Sequence, residues 1–400
     1  MYCVRKVTED LYWVGADDHR LARFENFHPI PRGISYNAYL LMDEKTVLFD
    51  TVDWSCCRQL MENLEHLLAG RPLDYLVIDH VEPDHGAAIR EVLFLYPNVR
   101  ILCSKMGAKF LNQFGFADSE RLETVADGDT RRFGKHEVQF FTAPMVHWPE
   151  VIVSFDQTNG VLFSADAFGS FAALNGKLFN DEVDYDRDWI DETRRYYTNI
   201  VGKYGPQVQD LLKKTCCLDI KMICPLHGLV WRSNLPYLLD KHDKWSRYEP
   251  EEKGVLIVWG SMYGDTENAA GILAQKLAER GIARTAMYDV SGTHVSYLIA
   301  ETFRYSHLVL ASVTYNMNVF PPMHGFLADM KALNLQNRTV AFLEGGSWAV
   351  RSGTLMREEM GNLPNMRLLE GCVTVKSSLR EEQMAELDAL ADRIADSMQE

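Results

Sequence analysis

The stretch Asp79-His80-Val81-Glu82-Pro83-Asp84-His85-Gly86 concentrates more reactive side chains than any other part of the chain. His80, Glu82, Asp84 and His85 are all potential metal ligands. They follow an apolar run, Tyr75-Leu76-Val77-Ile78, that predicts a buried strand. Alternate residues of an extended segment share a face, so imidazoles and carboxylates fanned from a strand end can hold two cations side by side. Nitrogen and oxygen donors without thiolate suit iron, manganese or zinc.

Residues of the same types recur at the ends of other strand-like stretches. His147 lies in Met145-Val146-His147-Trp148-Pro149-Glu150, Asp166 in Phe163-Ser164-Ala165-Asp166-Ala167-Phe168-Gly169, and His227 in Cys224-Pro225-Leu226-His227-Gly228. Taken singly, each is an ordinary turn former or hydrogen-bonding residue. Beside the clustered motif they read as the remaining ligands of a binuclear site, in which one carboxylate must bridge.

A second constellation begins where the apolar run Val255 to Trp259 enters Gly260-Ser261-Met262-Tyr263-Gly264-Asp265-Thr266-Glu267-Asn268. Small and hydroxyl-bearing residues at a strand-to-helix turn offer backbone N–H groups, hydroxyls and a helix N-terminus to a phosphate. The pattern is neither the dinucleotide fingerprint nor a Walker loop. Asp265 places a negative charge beside that phosphate, which is unfavourable unless its side chain caps the helix and faces away. Two later strand ends bring Thr314, Tyr315, Asn316 and Met317, and then Gly346, Ser347 and Trp348, to the same edge. Tyr315 or Trp348 can stack on a flat ring, with backbone N–H groups meeting its polar rim.

The elements that must position these residues fall into two groups. Up to about Asp240 the signals are mixed: strands at 11–15, 36–42 and 46–50, a helix at 55–68, then further strands at 100–103, 138–141, 151–155, 161–163 and 221–224. Gln157-Thr158-Asn159-Gly160 reads as a hairpin turn. Hairpins interleaved with helices suggest a layered α/β sandwich. The charged stretch from Lys241 to Lys253 reads as a linker between domains at 1–245 and 254–400. Beyond it, strands at 255–259, 284–290, 308–313, 339–343 and 369–375 alternate with helices, the last at 378–398. That alternation predicts a doubly wound parallel sheet with ligand at the carboxyl ends of its strands.

Bulk properties narrow the partners. The chain has 400 residues and a formal net charge of −15, which disfavours a nucleic-acid partner. No apolar leader or membrane-length run is present, so a soluble cytoplasmic protein with no membrane partner is expected. None of the eight cysteines forms a C-x-x-C pair, so no rubredoxin or iron–sulfur module is expected within the chain.

His80, Glu82, Asp84 and His85, followed by His147, Asp166 and His227 in this order and spacing, resemble the metallo-β-lactamase-like domain of flavodiiron proteins. Ser261-Met262-Tyr263-Gly264-Asp265-Thr266 resembles the FMN phosphate loop of flavodoxins. Both domains follow in the order of the short, two-domain flavodiiron form. In hydrolases of the first fold the motif reads H-x-H-x-D-H and binds zinc. Glu82 in place of the middle histidine adds an anionic oxygen donor, which favours iron.

The resemblance implies an αββα sandwich followed by a flavodoxin-like domain. It implies two irons: one bound by His80, Glu82 and His147, the other by Asp84, His85 and His227, with Asp166 bridging. It also implies FMN, a head-to-tail homodimer or dimer of dimers, and electrons from a rubredoxin or similar donor. Two ferrous irons and a reduced flavin together hold the electrons that convert dioxygen to water, and two nitric oxides need fewer. Reduction of dioxygen and/or nitric oxide is therefore the expected activity. Tyr196, Tyr197 and His28 are candidates for proton delivery. A dizinc hydrolase would leave Glu82 and the flavin loops unexplained. A slow flavin–iron redox sensor is the alternative without turnover.

Overall fold

The protein is described here by a computed structural model that covers residues 1–116 and 119–399. The chain forms two compact units, Met1–Asp243 and Lys244–Glu400. Among the described residues no helix is long and apolar enough to cross a membrane.

The first unit is a sandwich of two mixed sheets. One orders its strands Arg5–Lys6, Leu11–Trp13, Tyr39–Met42, Thr46–Phe49, Tyr75–Val77, Arg100–Ser104 and Leu122–Val125. Its first pairs are antiparallel, and it becomes parallel from Thr46–Phe49 onward, where helices provide the crossovers. The second sheet orders Thr130–Arg132, Glu137–Thr142, Ile152–Asp156, Val161–Phe163 and Met222–Cys224, with only the last pair parallel. Leu41, Val47, Phe49, Val77 and Leu102 of one inner face pack on Val138, Phe140, Ile152 and Phe163 of the other. The Phe49 and Phe163 rings stack at 3.8 Å, closing the core directly behind the strand ends that carry the reactive residues. The outer helices Cys57–Leu68, Lys105–Phe114 and Gly205–Thr215 bury one face each, as their amphipathic sequences require.

The second unit is a parallel sheet ordered Thr285–Asp289, Glu252–Gly260, Tyr305–Tyr315, Thr339–Gly346, then Arg367–Leu368 and Val373–Lys376. Numbered by sequence this is the flavodoxin-like order 2-1-3-4-5, with helices between successive strands. Its central strands are near-continuous apolar runs because both faces are covered.

Three expected elements differ. The single strand at 36–42 is two strands, Ile34–Tyr36 and Tyr39–Met42, in different sheets. The break falls at Asn37, whose side chain donates to the carbonyls of Pro225 and Gly228 and accepts from Trp13 Nε1. The stretch 241–253 is not a free linker. It continues the helix Leu235–Ser246 and opens the strand Glu252–Gly260, and its Trp245 and Tyr248 are buried. The last expected strand is interrupted between Leu368 and Val373.

Candidate diiron centre and flavin site

Every residue expected in the first cluster comes from the carboxyl end of a strand or the loop after it. His80 follows Tyr75–Val77, Asp166 follows Val161–Phe163, and His227 follows Met222–Cys224. His147 lies in the connection between Glu137–Thr142 and Ile152–Asp156. Glu82 is the N-cap of a short helix, Pro83–Gly86, that Pro83 starts and that carries Asp84 and His85. The end of strand Thr46–Phe49 fixes this loop: Asp50 Oδ1 accepts from the backbone N–H groups of Asp79 (3.0 Å) and His80 (3.2 Å).

The side chains converge as two groups, His80, Glu82, His147 and Asp166, and Asp84, His85 and His227. In the first, Glu82 Oε2 lies 3.1 Å from His80 Nε2 and 3.0 Å from His147 Nε2. In the second, Asp84 Oδ2 lies 3.3 Å from His85 Nε2 and 3.2 Å from His227 Nε2. Asp166 stands between them. Its Oδ2 is 3.1 Å from His147 Nε2 and 3.5 Å from His80 Nε2, while its Oδ1 is 3.3 Å from His85 Nε2 and 3.7 Å from His227 Nε2. One carboxylate thus presents an oxygen to each group.

Burial makes this cluster electrostatically demanding. His80, His85, His227 and Asp166 are essentially inaccessible, and an anion there is costly unless positive charge compensates it. Burial opposes charge on His80, but Asp166, Glu150 and Glu82 outweigh it and raise its pKa well above the ordinary value. His147 is likewise opposed by burial but raised to about 9 by Asp166 and Glu82. Asp166 is held well below the usual carboxylate range, because the surrounding imidazoles overcome its burial. Both oxygens of Asp84, with Asp166 Oδ1, have no hydrogen-bond partner among the described residues. The cluster therefore calls for bound cations, and metal ions meet that demand better than protons shared among crowded imidazoles. A half-open cavity of about 430 Å³, bordered by Phe24, Glu25, Tyr36, Glu82 and Asp84, gives access to it.

Of the three proton-delivery candidates, Tyr196 lies beside the cluster. Its ring is 5.4 Å from that of His227, and its buried hydroxyl has no hydrogen-bond partner among the described residues. Burial, then Asp166 and Asp84, push its pKa well above the ordinary value. Tyr197 packs on His242, and His28 lies against Phe27 and Phe171 with Glu25 3.5 Å from its Nε2. Sequence reasoning gave no role to Glu150, a buried carboxylate 2.7 Å from His80 Nδ1. Its only signal was an acidic residue close behind His147. Asp50 was missed as well, although it ends a predicted strand.

In the second unit, a cavity of about 330 Å³ opens at the carboxyl ends of the parallel strands. Ser261, Met262, Tyr263, Asp265 and Thr266 line it from the first loop, Thr314, Tyr315, Asn316 and Met317 from the second, and Gly346, Ser347 and Trp348 from the third. Gly264 is not on its wall; it takes φ +93° at the N-cap of the helix Asp265–Glu279, and its N–H is held by Ser261 Oγ. No side chain caps that helix, so Asp265 lines the cavity instead of capping the terminus.

The second loop is a tight hairpin, Tyr315 pairing Asn318, with Asn316 and Met317 both at positive φ. Thr314 Oγ1 is taken up by the N–H groups of Arg351 and Ser352. Gly345 is required for close packing, since a Cβ there would meet Thr266 Oγ1 at 2.6 Å. Val375, near the end of the last strand, and Ser377, just beyond it, complete the wall and were not anticipated. Tyr263 is 91% and Trp348 73% exposed, so the rim is an uncovered aromatic surface.

Comparison with known proteins agrees with both units. Residues 34–228 match the family described as ODP family beta lactamase. The anaerobic nitric oxide reductase flavorubredoxin of Escherichia coli is 30% identical over 351 residues, covering 86% of this chain and 72% of that protein. The rubredoxin:oxygen oxidoreductase of Desulfovibrio gigas superimposes with a TM-score of 0.93 at 27% identity, over 99% of both chains. The flavodiiron protein of Giardia intestinalis shares the fold, with a TM-score of 0.92 at 23% identity over 100% of this chain and 98% of that one. With two histidine–carboxylate groups meeting at Asp166 in one unit and a cavity at the strand ends of the other, the chain belongs to the flavodiiron family of oxidoreductases.

Proposed function

We propose that this protein reduces dioxygen to water and/or nitric oxide to nitrous oxide at a non-haem diiron site, with FMN in the second unit and electrons from a rubredoxin-type donor. The observation that carries this reading is the placement of Asp166, one oxygen toward each of two histidine–carboxylate groups. His80, Glu82 and His147 would hold one iron and Asp84, His85 and His227 the other, with Asp166 shared between them. A donor set of carboxylates and imidazoles without thiolate fits iron, and Glu82 supplies the anionic oxygen that hardens the site. Bound iron and FMN supply one- and two-electron redox chemistry and open coordination positions for a small oxidant.

The remaining work falls to the protein. The buried cage excludes bulk water on the strand side, while the cavity beside Glu82 and Asp84 admits small molecules. Tyr196 stays protonated across the working pH range and offers its free O–H as a hydrogen-bond donor at the edge of the site. In the second unit, Ser261, Thr266 and the first N–H groups of helix Asp265–Glu279 would receive the FMN phosphate, and Tyr315 or Trp348 would stack on its ring. The exposed aromatic rim supports a head-to-tail homodimer, which would cover it and would carry electrons from the flavin of one subunit to the irons of its partner.

Oxidant consumption tests the reading. Reduced rubredoxin as sole electron source should support catalytic uptake of dioxygen, nitric oxide or both by the purified protein. Reoxidation of bound flavin in a single slow event, with no turnover, would assign a sensor instead.

A further inference from the structure

We propose that Glu150 is the positioning residue that makes the two halves of the cluster unequal. By fixing the tautomer and orientation of His80, it renders the His80–Glu82–His147 half the tighter iron site, filled before the Asp84–His85–His227 half. This deepens the diiron reading above and rests on it.

The imidazoles of His80, His227 and His85 differ in what they do with the nitrogen turned away from the cluster. His80 donates from Nδ1 to Glu150 Oε1 at 2.7 Å, leaving Nε2 as the donor atom toward Glu82 and Asp166. His227 donates from Nδ1 to a neutral acceptor, the carbonyl of Ser35, at 2.8 Å. His85 Nδ1 has no partner among the described residues. Of these three imidazoles, His80 is the one backed by a carboxylate. A carboxylate behind a ligating imidazole draws on its N–H, raises the basicity of the opposite nitrogen and removes the ring's freedom to flip. The neutral carbonyl at His227 does less, and His85 has neither kind of support.

Glu150 is held in place independently of any metal. Its side chain is 1% exposed, and its backbone carbonyl accepts from Ser104 Oγ at 2.7 Å. Its Oε1 also accepts from the Val81 N–H at 3.0 Å, which sets the turn between His80 and Glu82. One oxygen thus orients a ligand and spaces it from the next.

The test is anaerobic titration of metal-free, FMN-loaded, full-length protein with ferrous ion against a competing chelator. Wild type should bind in two resolved steps. Glu150→Gln keeps the volume and an acceptor for Val81 but removes the charge; it should weaken the tighter step by roughly 10- to 100-fold. The weaker step, the FMN content and the thermal midpoint of the metal-free protein should not change. Unchanged affinities in the variant, or equal weakening of both steps with a lowered midpoint, would overturn the proposal.

Wild-type protein that takes up no ferrous ion would overturn the diiron reading itself, which keeps the two failures apart. A second measurement needs no variant. Proton NMR of wild type with a single equivalent of ferrous ion should show the slowly exchanging N–H of His80 shifted by the metal. A shifted His227 N–H at that stage, with His80 unaffected, would reverse the order of filling and refute the proposal.

Discussion

His136 offers the sharpest thermodynamic prediction in the structure, at a point remote from the metal cluster. Its ring is buried, with Nδ1 2.9 Å from Asp156 Oδ2 and Nε2 3.0 Å from Asp10 Oδ2. A neutral imidazole can donate from one nitrogen only, so both contacts are satisfied together by the imidazolium alone. Burial works against that charge, but Asp156 and Asp10 overcome it and raise the pKa from 6.5 to about 9. The difference is worth about 3 kcal/mol of stability.

The sign follows from the direction of the shift. Because the folded-state pKa lies above the unfolded one, the contribution is complete below about pH 6.5 and is lost as pH rises through about 9. Asp10 bounds the same cluster from the acid side. Lys135 and His136 overcome its burial and lower its pKa to about 2, so its share is lost as pH falls from 3.8 through that value.

The perturbation is Asp156→Asn, which keeps shape and one acceptor but removes a charge. Urea unfolding followed by circular dichroism should show it destabilised by about 2–3 kcal/mol near pH 6, with the gap closing near pH 9.5. An equal gap at both pH values, or a His136 imidazole that titrates near 6.5 by NMR, would refute the reasoning.

Other expectations are equally direct. Asp166→Ala should remove the group between the two ligand sets; iron analysis should find both ions lost while FMN is retained, and full iron would refute the bridge. Gly345→Ala drives a Cβ into Thr266 Oγ1, so FMN retention on gel filtration should fall at least about tenfold with iron content unchanged. Arg338, fully buried, donates to the carbonyls of Tyr248, Thr302 and Phe303; Arg338→Met should leave them unpaired and cost about 3–5 kcal/mol, read as a lower melting temperature.

What the sequence disclosed follows from how local each signal is. His80 to His85 were legible as a cluster because the four side chains are nearly contiguous behind an apolar strand. Asp166 and His227 were legible because each follows a strand, and the first three loops of the second unit's cavity because they recur at successive strand ends. Asn37 hid a break between two sheets, since its partners Pro225 and Gly228 lie far along the chain. Trp245 and Tyr248 were read as linker because charged neighbours masked two buried aromatic rings. Glu150 lay in plain view, but its role depends on facing His80 Nδ1, and no spacing in a sequence encodes that. The part of the cavity wall at Val375 and Ser377 was lost with the interrupted strand that carries Val375.

The central claim is a pair of irons caged in the first unit and served by a flavin in the second. Elemental and flavin analysis of protein purified without oxygen and without added metal addresses it directly. About two irons and one FMN per chain are expected. Stoichiometric zinc in a colourless, flavin-free protein would contradict it.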